Sequence, residues 1–268
     1  MNILNKDSNI PSLVISLDFE MRWGVHDIYK FNIDGYKKNL ENVKLIVPKI
    51  LKMFDQRSLK ATWATVGALA CENWEEYFKF APQSPNYENH KFKITRKYAE
   101  IDPIGSLHFA PDLIRLIKKT KYQDLGSHGF SHLYFKENGV THFDFINDLN
   151  AVQKIFEKKF NHTPISFVFP RNQVAFINHI QKTSIKTWRS NEKIFFYNNN
   201  YKNKSKIIRL LRIADSINPL AIKNNYVKNE IIPSTMFLRY NLPDLLWKLQ
   251  VKKIKNQLLK AKPYSVIH

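Results

Sequence analysis

Apolar positions along the chain change period several times, and each change marks an element. Residues 13–20 form a nearly continuous apolar run that ends in carboxylates. Such a run reads as a strand buried on both faces of a parallel sheet. Leu40, Val43, Ile46, Val47, Ile50, Leu51 and Phe54 then recur at helical spacing. Pro48 sits inside that pattern, where its missing N–H predicts a kink or a break. Residues 61–66 read as a second strand and residues 72–80 as a short helix. Residues 82–110 show no period and contain Pro82, Pro85, Pro103 and Gly105; so long an irregular stretch is expected to be either a functional, substrate-facing loop or a segment whose elements the pattern does not reveal.

Pro111 opens a helix through Lys119, at a position that favours Pro. A third strand leads into Gly126-Ser127-His128-Gly129-Phe130-Ser131-His132. Thr141 and Asp144 have the spacing of a capping box, ahead of a stripe made by Phe145, Leu149, Val152, Ile155, Phe156 and Phe160. Residues 165–169 form a fourth strand that ends at Pro170-Arg171, and residues 185–189 a fifth. Residues 191–206, rich in Asn and Lys, read as an exposed loop. Residues 231–238 include a sixth strand. Leu245, Leu246, Leu249, Ile254 and Leu258 make a last amphipathic helix, expected to pack on the sheet, with a Lys-rich outer face able to touch anionic lipid. Residues 264–267 open a seventh strand at the chain end, so the domain is expected to be cut in or near its last strand.

Strands alternating with helices predict a parallel α/β domain, and 268 residues suit one domain spanning residues 1–268. Catalytic groups in such folds gather at the carboxyl ends of the strands. The ionisable residues there are Asp18, Glu20, His128, Arg171, Arg189 and His268.

Composition narrows the class. The formal net charge is +19 and the isoelectric point about 9.8, which favours anionic partners such as membrane surfaces, phosphorylated carriers or acidic glycans. The Lys residues are spread over many elements and not clustered among aromatics, so no nucleic-acid partner is expected. Cys71 is the sole cysteine, which excludes an intramolecular disulfide and a Cys-based zinc site. No signal-like or membrane-spanning apolar stretch is present, and a cytoplasmic location is expected.

In an extended strand Asp18 and Glu20 point to the same face. Two such carboxylates coexist most readily on a cation or a shared proton. His128 and His132 reach one ion if the chain turns helically after Ser127. Two imidazoles and a carboxylate suit zinc, with room for water, and a carboxylate that stays off the metal can serve as base. Arg22 and Arg189 are candidates for substrate phosphate or carboxylate, with structural ion pairs as the alternative. Trp23, Trp63 and Trp188 are candidates for lining a groove or for packing in the core.

These motifs resemble the polysaccharide deacetylase family (NodB homology domain, carbohydrate esterase family 4). The stretch Ser16-Leu17-Asp18-Phe19-Glu20-Met21-Arg22-Trp23-Gly24 stands where the family carries two adjacent Asp residues. The stretch from Gly126 to His132 matches its His motif, Phe169-Pro170-Arg171-Asn172 its Arg/Pro strand end, and Val266-Ile267-His268 its final His motif. The resemblance implies a distorted (β/α)7 barrel that removes an N- or O-acyl group from a sugar. It implies zinc or another divalent ion on Glu20, His128 and His132, with Asp18 as base, although the two carboxylates could exchange roles. It also implies that Arg171 holds Asp18, that His268 or a residue beyond it is the acid, and that Arg22, Trp23 and Pro170 contact substrate. The expected substrate is an acylated, nucleotide- or lipid-linked sugar in surface-polysaccharide or O-antigen synthesis. Hydrolysis of a non-sugar C–N bond, as in allantoinase-like relatives, and non-catalytic saccharide binding are the alternatives.

Overall fold

The computed structural model describes residues 12–27, 34–191, 196, 206–217, 231–233, 242–260 and 266–267. They pack as two compact units, one of Met1–Ile15 with Arg189–His268 and one of Ser16–Trp188.

In chain order, β1 (Ser12–Leu13) belongs to the smaller unit and β2 (Ser16–Phe19) opens the larger. The apolar run read as one strand is thus two. There follow α1 (Asp34–Gln56), β3 (Ala61–Thr65), α2 (Trp74–Phe80), α3 (Lys97–Ile101), α4 (Pro111–Lys119) and β4 (Gln123–Ser127). The larger unit ends with α5 (His142–Phe160), β5 (Ser166–Val168), α6 (Ile177–Ile180) and the start of β6 (Thr187–Ser190). Its curled parallel sheet runs β2-β3-β4-β5-β6, with helices in the crossovers, which is the half-barrel form of the expected α/β architecture. In register, Phe19 faces Thr65, Thr65 faces Ser127, and Ser127 faces Phe167. The residues just past these positions therefore emerge along one edge of the sheet, which brings residues 20, 128 and 168 to the same side of the fold.

Helix α1 runs through Pro48 without a break. Its buried residues Leu40, Val47, Leu51 and Phe54 each contribute about 1.5–3 kcal/mol. Together they outweigh the roughly 3 kcal/mol that an interior Pro costs. Helix α5 has the capping box foreseen from Thr141 and Asp144, and it closes on Asn161 in the left-handed conformation. Phe145 and Leu149 of its stripe join a cluster with Phe135, Phe167, Phe169 and Trp188, in which Phe145 meets Phe135 and Phe167 edge to face and stacks on Phe169.

Residues 82–110 are not an open loop. Tyr87, Tyr98, Leu107 and Phe109 are buried, and the segment contains α3 and a short 3-10 turn at His90–Phe92. Its apolar residues pack without regular spacing, which is why no period signals them.

The described parts of the smaller unit include α7 (Lys206–Ile217), β7 (Ile231–Pro233), α8 (Asp244–Lys260) and β8 (Val266–Ile267). Strands β1 and β8 pair in parallel, Ser12 with Val266 and Leu13 with Ile267. On α8 the foreseen apolar stripe is divided. Leu246, Ile254 and Leu258 are half-buried, while Leu245 and Leu249 are exposed. His268 and most of the foreseen sixth strand lie outside the described residues.

Candidate metal centre

Glu20 follows the last residue of β2. Its φ of −133° and ψ of −17° leave the extended conformation and open a 3-10 turn at Met21–Val25. The strand alternation that would place Asp18 and Glu20 on one face therefore stops at Phe19. Glu20 turns to the two histidines: its Oε2 is 3.0 Å from His132 Nε2 and 3.3 Å from His128 Nε2. The three side chains each offer a ligand atom within 4.8 Å of the others, the one such group found among the described residues. Asp18 is exposed on β2 and outside that group.

His128 points Nδ1 at the Val168 carbonyl, 2.7 Å away. A carbonyl only accepts, so Nδ1 carries a proton, and Nε2 is the nitrogen directed at Glu20. Both imidazoles are buried. Burial by itself would raise the Glu20 carboxyl, but His132 and His128 outweigh it and hold the group far below the usual carboxylate range. Desolvation pushes His132 below the ordinary imidazole value, against the pull of Glu20. An ionised carboxylate is one requirement of a divalent metal site, and burial works toward the neutral His132 that such a site also needs. The donor set of two nitrogens and one oxygen fits zinc or a similar ion.

The convergence of the histidines is not helical. After Ser127 the chain makes an irregular turn in which Gly129 has φ +75° and His132 φ +54°. Backbone bonds dock this turn on the sheet edge: His128 N–H to Thr65 O at 2.9 Å, and Gly67 and Ala68 N–H to Gly129 and Phe130 O at 2.8 and 3.0 Å.

Arg171 follows Pro170 in a turn and has φ +53°. Its acidic partner is Asp27, not Asp18: Nη2 lies 2.6 Å from both carboxylate oxygens. Asp27 also accepts from the Tyr134 hydroxyl at 2.9 Å, and the guanidinium lies 4.0 Å over the Tyr134 ring. Burial tends to raise the Asp27 carboxyl, and Arg171 outweighs it, leaving the group below its ordinary value. Tyr134 in turn is edge-on to His132, with centroids 5.5 Å apart, and stacks on His26 at 5.4 Å. This ion pair therefore lies beside the metal ligands. His26 turns Nδ1 to the Trp23 carbonyl at 2.6 Å, and desolvation pushes its pKa down to about 4.

The expected substrate contacts at Arg22, Trp23 and Pro170 are all buried. Trp23 donates Nε1–H to the His108 carbonyl at 2.7 Å and stacks on Tyr77. Arg22 is fully buried near Tyr98. The 3-10 turn after Glu20 rolls these side chains inward, away from the sheet edge. Trp63 and Trp188 are core residues as well. Asp27 and Tyr134 escaped the sequence reading because nothing local marks them. A third missed residue, Asp148, does carry a signal, since it places a charge on the apolar stripe of α5.

The family model described as "Polysaccharide deacetylase" matches residues 34–183, more than half of the chain. The match takes in both histidines and Arg171 and begins after Glu20. No curated protein matches the sequence significantly. Among solved structures, the chain is similar to a putative polysaccharide deacetylase from Mycobacterium smegmatis, with 12% identity and a TM-score of 0.47 over 70% of this chain and 54% of that one. It is also similar to a CE4 family pseudoenzyme from Bacillus anthracis, with 12% identity and a TM-score of 0.41 over 97% and 63%. A chitin deacetylase from Colletotrichum lindemuthianum gives 14%, 0.41, 98% and 86%. The chain thus spans less than two thirds of the first two of these structures. Likeness at this level carries nothing about activity.

Proposed function

The chain belongs to the polysaccharide deacetylase family, and from that premise we propose that it is a metal-dependent hydrolase that removes an N- or O-acyl group from a sugar. The observation that carries this reading is the convergence of Glu20, His128 and His132 at the sheet edge. These three residues would hold zinc or a similar ion. Such an ion, when bound, polarises an acyl oxygen and makes water a stronger nucleophile at neutral pH. The chain's own contribution is to keep Glu20 ionised, to favour a neutral His132 by burial, and to hold His128 Nδ1 on the Val168 carbonyl. Asp18, which stays off the ligand group, is assigned the role of base. The roles expected of Arg171 and His268 differ in support: Arg171 holds Asp27 beside the ligands, and His268 is assigned as acid on the resemblance alone.

The net charge of +19 supports an anionic substrate, a nucleotide- or lipid-linked sugar of surface-polysaccharide or O-antigen synthesis handled in the cytoplasm. No described helix is long and apolar enough to cross a membrane. Contact with an anionic membrane surface is supported by α8, where Leu245, Leu249 and Leu259 are exposed among Lys248, Lys252 and Lys255. Sedimentation with phosphatidylglycerol-containing vesicles, but not with neutral ones, is expected; equal recovery with both removes this partner.

The decisive experiment is elemental analysis of the purified protein beside a His128→Ala, His132→Ala double variant. Near-stoichiometric zinc or a similar ion, lost in the variant, is expected, followed by acetate release from an acetylated sugar. Absence of bound metal, with none taken up from added zinc, overturns the proposal.

A further inference from the structure

Two histidines four residues apart share a face when they lie on a helix, but the turn after Ser127 is not helical. Something else must set the angle between the imidazoles. From the sheet side the turn is held through backbone bonds to Thr65, Gly67 and Ala68. From the helix side it is held by one carboxylate. Asp148, fully buried on α5, accepts the Phe130 N–H through Oδ2 at 2.7 Å and the Ser131 N–H through Oδ1 at 3.0 Å. Two successive N–H groups converging on one carboxylate form an anion nest.

Burying a carboxylate is costly unless its hydrogen bonds are made, and an apolar residue would suit the stripe of α5 better on packing grounds. The described hydrogen bonds that offset this cost all go to the turn between the two histidines. Gly129 fits the same arrangement: a Cβ there would come within 2.6 Å of Asp148 Oδ2. His132 immediately follows in the left-handed region, which a residue other than Gly adopts only where its surroundings enforce it.

We infer that Asp148 is a positioning residue that fixes His128 and His132 in the geometry needed to share one ion with Glu20. The inference rests on the reading of those three residues as a metal site. Removing the carboxylate leaves two buried N–H groups without acceptors. The turn relaxes to expose them, and the imidazoles diverge.

The test compares zinc affinity, by chelator competition, and the visible spectrum of the cobalt(II)-loaded protein across four proteins. These are the parent, Asp148→Asn, Asp148→Ala, and Ile155→Ala as a control for a buried α5 residue remote from the turn. Asn offers one acceptor oxygen and Ala none, so zinc affinity is expected to fall roughly 10–100-fold in Asp148→Ala, with Asn between. The cobalt spectrum shifts in both Asp148 variants. Ile155→Ala lowers the melting temperature but keeps the parent's affinity and spectrum. Parent-like affinity and spectrum in a folded Asp148 variant overturn the inference, as does an equal loss of affinity in Ile155→Ala. If Asp148→Ala does not fold, the isosteric Asn variant decides. A parent that binds neither zinc nor cobalt overturns the metal reading itself, and this inference with it, before any variant is compared.

Discussion

Gly129→Ala is the sharpest single perturbation of the candidate centre, and the structure fixes its size. Gly129 has φ +75°, where an L-residue costs about 1–2 kcal/mol. The added Cβ would lie 2.6 Å from Asp148 Oδ2, closer than side-chain carbons approach oxygen. Asp148 cannot simply move, since that oxygen accepts the buried Phe130 N–H at 2.7 Å. Relief therefore weakens a charge-assisted bond worth about 1.5–3 kcal/mol. The sum is about 3–5 kcal/mol, equivalent to a melting shift on the order of 10 °C for a chain of this size. Urea unfolding in the presence of chelator measures the metal-free loss, and zinc competition measures the effect on the site. Gly139→Ala is the matched control: it lies seven residues past His132, also has positive φ, +87°, and its Cβ would collide with the Asn86 carbonyl and not with Asp148. Both variants should be destabilised, but only Gly129→Ala should lose zinc affinity. A change in stability below about 0.5 kcal/mol for Gly129→Ala, with zinc affinity intact, refutes the reasoning, as does equal zinc loss in the control.

Glu20→Gln should lose bound zinc while Asp18→Asn retains it, as read by elemental analysis; the reverse result would exchange the two carboxylates' roles. Burial pushes the Asp148 carboxyl up to about 7, so the folded protein holds this proton more tightly than the unfolded chain, whose Asp titrates near 4. The group's contribution to stability is therefore full below pH 4 and is lost as pH rises toward 7. Relative to Asp148→Asn, the metal-free parent should lose on the order of 4 kcal/mol across that window, measured by urea unfolding at several pH values; a constant difference speaks against the buried-acid account. Thr141→Ala removes the hydroxyl that accepts the Asp144 N–H in the α5 capping box and leaves the backbone N–H of residue 141 on Asp144; it should cost about 1 kcal/mol by the same assay, and no change would mean that packing alone starts the helix. Asp27→Asn leaves Arg171 without its full charge partner, and because Arg171 is one-third exposed, only about 1–2 kcal/mol should be lost. High salt should shrink that loss, and a salt-independent loss would assign it to packing.

Strands and helices with a clear period were legible in the sequence. Ala61–Thr65, Gln123–Ser127, Pro111–Lys119 and the capped His142–Phe160 stand where alternation, proline placement and capping put them. So was the meeting of Glu20 with His128, because each follows a strand end and parallel register carries strand ends to one edge. The turn between His128 and His132 was not legible. Helical spacing predicted the convergence, but the turn reaches it through Gly129 at positive φ, a strained His132 and a carboxylate on a distant helix. Spacing alone carries none of these. Residues 82–110 failed for a related reason, since Tyr87, Tyr98, Leu107 and Phe109 are buried by irregular packing and periodicity detects only regular packing.

Charge pairing is the least local property of the site, and Arg171 shows why. Its partner Asp27 lies 144 residues away, and nothing near either residue specifies the other. Pattern reading gives Arg171 the motif carboxylate, Asp18. The structure gives it the one that Tyr134 already holds, because the guanidinium can stack on that ring and reach both oxygens at once. A planar, delocalised cation gains from both contacts together, where an ammonium would gain from the carboxylate alone. The aromatic ring thus selects the ion pair, and the same ring lies edge-on to His132. Arg171 therefore stands one ring away from His132, through Tyr134. Asp18 remains exposed on β2 and outside the group of Glu20, His128 and His132.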